Sequence, residues 1–177
     1  MANREALREL QTRLASRLQA ARSEAVSASW LAVRVGDENY LFPLAHSGEI
    51  FPLDNIQPVP YARSWFMGVI NLRGGVFGVV DLAGFLGGGR PTPARTEQSL
   101  TQASVVTFNV ALELNCALMV DSLAGLRKPD AFRDAVAPPE GSPAFFGSRF
   151  TDLQGTSWQE INLQALSQIP EFLSIGA

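Results

Sequence analysis

Gly68-Val69-Ile70-Asn71-Leu72-Arg73-Gly74-Gly75-Val76-Phe77-Gly78-Val79-Val80-Asp81-Leu82 is the stretch on which the reading of the whole chain turns. Two β-rich runs, Phe66 to Leu72 and Val76 to Val80, flank Arg73-Gly74-Gly75. Paired glycines between apolar strands accept positive φ at little cost, so the stretch predicts a tight hairpin. Arg73 falls inside the turn. A guanidinium cannot be buried without a partner, so it stands at the surface, either gripping a carboxylate or carbonyl of another protein or paired within the chain to Asp81 or Glu113. Behind the second strand, Asp81 precedes Leu82-Ala83-Gly84-Phe85-Leu86, where a carboxylate caps a short helix that Gly87 ends.

Working outward, Trp65 and Phe66 suit either a core or a contact surface, with at least one expected in the core. From Trp30 the apolar period is two: Leu31, Val33 and Val35 alternate with Ala32 and Arg34, and Gly36-Asp37-Glu38-Asn39 turns the chain into Tyr40-Leu41-Phe42. Ile50-Phe51 and Ile56 to Val59 are short strand candidates bounded by Pro52, Pro58 and Pro60, which confines them to the edges and corners of a small curved barrel. Residues 87–103 are rich in Gly, Pro, Thr and Gln, lack apolar periodicity, and read as a mobile connector. Beyond it, Ser104 to Phe108 and Asn115 to Val120 are strands, with a turn at Asp121-Ser122. A stiff loop from Pro138 to Pro143 leads to Phe145. Phe145 to Thr151, a turn at Asp152 to Gly155, Ser157 to Ile161 and the cap Asn162-Leu163 then repeat the earlier order of strand, turn, strand, cap and helix. That order is a degenerate duplication. Each half has too little apolar surface to stand alone, so the two share a core, and short turn-punctuated strands make the fold mainly β, of small barrels.

Residues 1–28 form a separate extension ahead of a domain at residues 29–177. Leu7, Leu10, Leu14, Leu18 and Ala21 fall on one side of an amphipathic helix that Asn3 caps, with Arg4, Arg8, Arg13, Arg17 and Arg22 around the remainder. The plain expectation is a solvated helix packed on its own domain; the sharper alternative is a docking arm for an acidic partner.

At 177 residues and 46% hydrophobic, the chain supports one good core. A net charge of -3 speaks against wholesale attraction to nucleic acid or an anionic membrane. The amino terminus lacks a secretory pattern and no run is apolar enough to span a bilayer, so the expected setting is cytoplasmic. Cys116, the single cysteine, has no intrachain partner and sits in a run that reads as a buried strand. Metal binding is not expected, since His46 is the single histidine and lies far in sequence from Cys116. A Ser47, His46 and Asp81 or Asp121 arrangement lacks the strained turn of a nucleophile. Asp81 and Asp121 both follow apolar strands, but without the small residue and glycine of an aspartic dyad, and capping accounts for both. Gly84 to Arg90 lacks the lysine and hydroxyl of a phosphate-binding loop.

Gly68 to Gly74 followed by Val79 to Leu82 resembles the signature of the CheW-like family of chemosensory adaptors. Trp65 and Phe66 before it, Gly84 to Gly88 after it, and the arginine-rich extension are most similar to the PilI branch, the coupling proteins of type IV pilus (twitching) systems. The resemblance is sharp over Trp30 to Gly88, looser from Ser104 to Leu163, and absent from the first residues, the connector and the last turn. It implies two interlocked five-stranded SH3-like barrels, an amino-terminal amphipathic helix and short capping helices. It also implies a non-enzymatic scaffold without cofactor that links the regulatory domain of a CheA-type histidine kinase to the cytoplasmic tip of a methyl-accepting receptor. Gly68 and Arg73 match positions associated with partner binding, while Asn71, Leu72 and Gly74 shape the turn. The long connector and the arginine-rich helix depart from the shortest members. Two rival readings are a small-molecule-binding or hydrolytic barrel with Asp81 or Asp121 in a cleft between the halves, and a subunit that assembles through an exposed strand edge.

Overall fold

The computed structural model describes residues 4–15, 29–88 and 95–176. The alternation from Trp30 gives β1 (Trp30–Val35) and β2 (Glu38–Pro43), paired antiparallel around Gly36-Asp37, with Gly36 at φ +60°. Next come β3 (Ser47–Pro52), β4 (Phe66–Leu72) and β5 (Gly75–Asp81). After the connector follow β6 (Ser104–Phe108), β7 (Cys116–Val120), β8 (Ser122–Arg127), β9 (Phe132–Val136), β10 (Phe146–Asp152) and β11 (Ser157–Ile161). The described helices are α1 (residues 4–15), α2 (Leu82–Leu86), α3 (Glu97–Gln102), α4 (Leu163–Leu166) and α5 (Pro170–Leu173).

Two sheets result, of order β8-β1-β2-β11-β10-β9 and β3-β6-β7-β5-β4. Each takes strands from both sides of the connector and is stitched by one parallel pair, β2 with β11 and β5 with β7. In the first sheet the two edge strands are consecutive in sequence. Laid flat, six strands would hold them about 24 Å apart. Residues 128–131 reach at most about 17 Å, so the sheet must curl into an open barrel. In the second sheet Gln57 closes the edge by exchanging backbone bonds of 2.8 and 2.9 Å with Val69 of β4. The five strands expected of each barrel are thus five in one and six in the other. β8 and β9 escaped the sequence reading because a bulge near Gly125, at φ +93°, breaks the alternation of one and the other is a polar edge strand carrying Arg133-Asp134. Ile56 to Val59 contributes only the Gln57 bridge and is not a strand.

The two faces of the central strands feed different cores. Leu31, Val33, Tyr40 and Phe42 of the first sheet meet Val80, Val106, Leu118 and Val120 of the second in one shared layer, closed by Ile161, Leu163, Leu166 and Phe172. The alternate positions Val79, Val105, Ala117 and Met119 fill the second barrel, and Ala32, Leu41 and Trp158 the first. Trp65 and Phe66 are both buried, the former edge-on to Phe85 and parallel to Phe172, with ring centroids 5.1 and 6.3 Å away. Cys116 lies inside β7, where burial pushes its thiol up to about 12.

The ends of the parallel strands β5 and β7 bring Asp81 and Asp121 together, and Arg95 joins them. Its guanidinium donates to both oxygens of Asp81, at 3.0 and 3.2 Å, and through Nε to Asp121 Oδ1 at 2.6 Å. The other oxygen of Asp121 accepts the backbone N–H of Gly36 at 2.6 Å, so the junction also reaches the β1–β2 turn in the other sheet. The capping expected of Asp81 and Asp121 is therefore corrected: the Asp81 side chain accepts no helix N–H, since Arg95 takes both oxygens, and Asp121 is followed by β8 and not by a helix. Asn162 does cap α4, accepting from Ala165 N at 3.0 Å. The connector is not structureless throughout, since Thr96 caps α3 through Ser99 N; a helix this polar leaves no apolar period to read. In the amino-terminal extension, residues 4–15 are helical and every side chain among these described residues is exposed, so this part of the helix is not packed on the domain as expected. Asn3, Leu18 and Ala21 lie outside the described residues.

The β10–β11 turn is held by Asp152, whose Oδ2 accepts Trp158 Nε1 at 3.0 Å while Oδ1 accepts the N–H groups of Gln154 and Thr156 at 2.9 and 2.8 Å. The indole hydrogen bond foremost, then the backbone donors, hold this carboxyl below its usual range against the opposing effect of burial.

Two predictions follow from these polar junctions. Replacing Arg95 with Met leaves two carboxylates facing each other and should cost about 3 kcal/mol, near the low end for breaking a buried pair. That corresponds to a thermal midpoint lower by about 10 °C. Adding Asp81→Asn and Asp121→Asn should recover at least half; an Arg95→Met midpoint within about 2 °C of wild type would show that the triad is dispensable. For Asp152, a folded pKa below the unfolded one means its stabilisation is complete above about pH 4 and is lost as pH falls through the folded value. Urea unfolding from pH 5 down to pH 2 should therefore show a shallower loss of stability in Asp152→Asn than in wild type, and equal slopes would refute the assignment.

Candidate functional site: the Arg73 hairpin

Leu72 pairs with Gly75, which leaves a two-residue turn of Arg73 and Gly74. Both have positive φ, +49° and +79°, the signature of the hairpin turn whose twist matches that of its strands. Gly74 accepts this freely. Arg73 does not, and an L-residue in the left-handed region costs about 1–2 kcal/mol, so this turn spends stability to carry an arginine at its tip. The strands below are anchored: Ile70 and Leu72 are buried in the second barrel, and Asn71 points outward between them.

Arg73 is paired, though not to Asp81 or Glu113. Its Nη1 meets Glu49 Oε1 at 3.1 Å, and the guanidinium lies 5.8 Å from the centre of the Phe51 ring, both on β3 at the opposite edge of the sheet. The closure of the barrel makes this contact, which is why spacing along the chain gave no hint of it. The side chain stays 74% exposed, so the pair orients the guanidinium and contributes little stability. Beside it opens a groove of about 200 Å³ whose walls include Phe51, Leu72, Phe77, Val110 and Glu113. A rigidly aimed cation next to an apolar floor is the chemistry of a protein contact, able to grip a carboxylate or carbonyl while the floor takes an apolar side chain.

Gly68 is not at this surface. It is buried at φ +136°, and a Cβ there would collide with the carbonyl of Gln57, so the glycine is what lets the edge-closing bridge approach β4. Its influence on the hairpin acts through the backbone.

The carboxylates of the rival reading are committed elsewhere. Asp81 and Asp121 are locked by Arg95. Ser47 Oγ donates to Pro43 O, and His46 Nδ1 is buried without a hydrogen-bond partner while burial pulls the imidazole pKa down. Among the described residues no cluster of His, Cys, Asp or Glu is placed to hold a metal ion, and no helix is long and apolar enough to cross a membrane. Sequence reasoning missed Glu49, Phe51 and Arg95. The signal for Arg95 was present: two acids ending apolar strands need a cation, and the connector between them offers only Arg90 and Arg95.

Comparison with known proteins gives four findings. The chain is 29% identical over 168 residues to the protein named PilI of Pseudomonas aeruginosa, an alignment covering 93% of this chain and 89% of that one. Over 57 residues, 32% of this chain and 37% of the other, it is 39% identical to the chemotaxis protein CheW of Rhizobium meliloti. Its fold resembles that of the scaffolding protein TtCheW of Thermoanaerobacter tengcongensis with a TM-score of 0.62 at 16% identity, covering 76% of this chain and 88% of that one. The model of the CheW-like domain matches residues 29–171, the whole two-barrel body together with the Arg73 hairpin, and the chain therefore belongs to the CheW-like domain family.

Proposed function

We propose that this chain is a non-enzymatic cytoplasmic coupling protein that joins the regulatory domain of a CheA-type histidine kinase to the cytoplasmic tip of a methyl-accepting receptor. The observation that carries the reading is the hairpin tip: an arginine held at positive φ, oriented by Glu49 and Phe51 and still mostly exposed. A residue that costs backbone strain and contributes little to folding is best explained by what it contacts outside the chain. Arg73 supplies the partner contact, Gly68 shapes the strand beneath it, and Asn71, Leu72 and Gly74 set the turn. The two barrels, fixed through one core, offer two faces on one rigid body, so binding of one partner is felt at the other as a change in position and not as local chemistry. Modest contacts suffice when many copies act together. Similarity to the PilI protein over nearly the whole chain supports a place in type IV pilus signalling.

The test is Arg73→Glu, which sets two acids together at an exposed site. Its thermal midpoint should stay within about 2 °C of wild type, as surface changes usually cost at most ~0.5 kcal/mol. Its affinity for a purified kinase regulatory domain, measured by calorimetry, should fall at least about tenfold, as expected for loss of a well-placed interface arginine. Unchanged affinity with unchanged stability would overturn the assignment, and a large drop in midpoint would make the arginine structural.

A further inference from the structure

Of the three residues other than glycine that hold positive φ among the described residues, two line the groove beside the hairpin tip: Arg73 and Glu113, the latter at φ +53°. Glu113 ends a single 3-10 turn, Val110–Leu112, at a left-handed position that glycine or asparagine ordinarily fills. A glycine would close this turn with less strain, but it would bring no carboxylate to the groove. Glu113 is exposed, and no ion pair engages it among the described residues. The turn is tied down on either side. Asn109 before it donates from its backbone N to His46 O at 2.8 Å and from Nδ2 to Ala45 O at 3.2 Å, while its Oδ1 accepts Ala111 N at 2.9 Å. Asn115 after it accepts Gly78 N of β5 through its carbonyl at 3.1 Å. Val110 is nonetheless 91% exposed, so an apolar side chain with little rotamer freedom is held in water.

The lining of this groove therefore carries charges of both signs from separate elements, Arg73 from the hairpin and Glu113 from the β6–β7 connection, together with Phe51, Phe77 and Val110. Glu49 is already engaged by Arg73, whose hydrogen bond to it uses only Nη1 and leaves Nε and Nη2 to a partner. At about 200 Å³ the groove falls below the range of about 300–1,000 Å³ usual for small-molecule sites, and it suits one apolar side chain of a protein. We infer that the groove reads charge at two points. On the assignment of Arg73 to the kinase contact, on which this inference rests, the kinase regulatory domain seats an apolar side chain against Phe51, Phe77 and Val110, with an acidic group toward Arg73 and a basic group toward Glu113. A partner surface of one sign gains at one of those residues and loses at the other. A surface that carries both charges in this order gains at both, so Glu113 and Val110 set specificity where Arg73 alone would accept any acid.

Titration calorimetry of the full chain with a purified kinase regulatory domain tests it, using Arg73→Glu, Glu113→Arg and the double variant that exchanges the two charges at constant net charge. Each melting midpoint should stay within about 2 °C of wild type, since all are surface changes. Glu113→Arg should bind about fivefold more weakly, as expected when a like charge is set against a partner's base at an interface rim. The exchanged variant should bind more weakly than either single variant. Val110→Asp should lose about tenfold, as for a truncated apolar anchor. Glu113→Gln, which removes a charge without supplying its opposite, should fall between wild type and Glu113→Arg, and it decides the matter if the arginine disturbs the turn. Two results would overturn the inference: Glu113→Arg and Glu113→Gln binding as well as wild type or better, or an exchanged variant that binds like wild type because net charge alone is read. In either case a loss on Arg73→Glu would leave the Arg73 assignment standing. If Arg73→Glu also binds like wild type, that assignment falls as well.

Discussion

The structure depends on one constraint: neither barrel can bury its outer apolar face without the other. Strands β1 and β2 turn Leu31, Val33, Tyr40 and Phe42 out of their own barrel, and β5, β6 and β7 do the same with Val80, Val106, Leu118 and Val120. Each such side chain is worth about 1.5–3 kcal/mol when taken from water, so separating the barrels would cost more than the whole stability of a domain this size. The interlocked topology follows from the same fact. A sheet assembled from one half of the chain alone would leave these residues exposed, whereas exchanging β1 and β2 for β6 and β7 across the connector places every strand against the common layer. At the layer's edge the Arg95 triad answers a narrower problem, the approach of two carboxylates at the ends of adjacent parallel strands.

Rigidity of that kind extends to the Arg73 tip. A loop could display an arginine more cheaply, but it would forfeit part of any binding energy to ordering the side chain. Here the backbone is fixed by a two-residue turn, the strands are anchored in the second barrel, and the guanidinium is oriented by β3 from across the closed sheet. Gly68 and Gln57 belong to the same design, since the bridge they permit closes the edge from which the hairpin projects. The shared core keeps the surfaces of the two barrels from drifting relative to one another.

Much of this was legible in the sequence. Period-two alternation located β1, while β-rich runs set between turn signals located β2, β4, β5, β6, β7, β10 and β11. The turns at Arg73-Gly74 and Asp152 to Gly155 were legible from residues that tolerate positive φ or accept backbone N–H groups. What stayed hidden was long-range or edge-bound. The Arg73–Glu49 pair spans 24 positions and exists because a barrel closes. Arg95 lies in a segment without apolar period, and its role appears only once the parallel pairing of β5 and β7 brings two acids together. Strands β8 and β9 are edges with a bulge or charges, where alternation is weakest. The lone amphipathic helix was visible, but the plain assumption that an apolar stripe packs on its own domain did not hold for Leu7, Leu10 and Leu14.

Native-state hydrogen exchange on the intact protein tests the shared core most directly. If the two barrels stand or fall together, the slowest amides of β1 and β2 in one sheet and of β6 and β7 in the other should open with a single free energy equal to that of global unfolding. Exchange from one sheet at a free energy several kcal/mol lower, with the other still fully protected, would mean that the barrels are separable and would contradict the account.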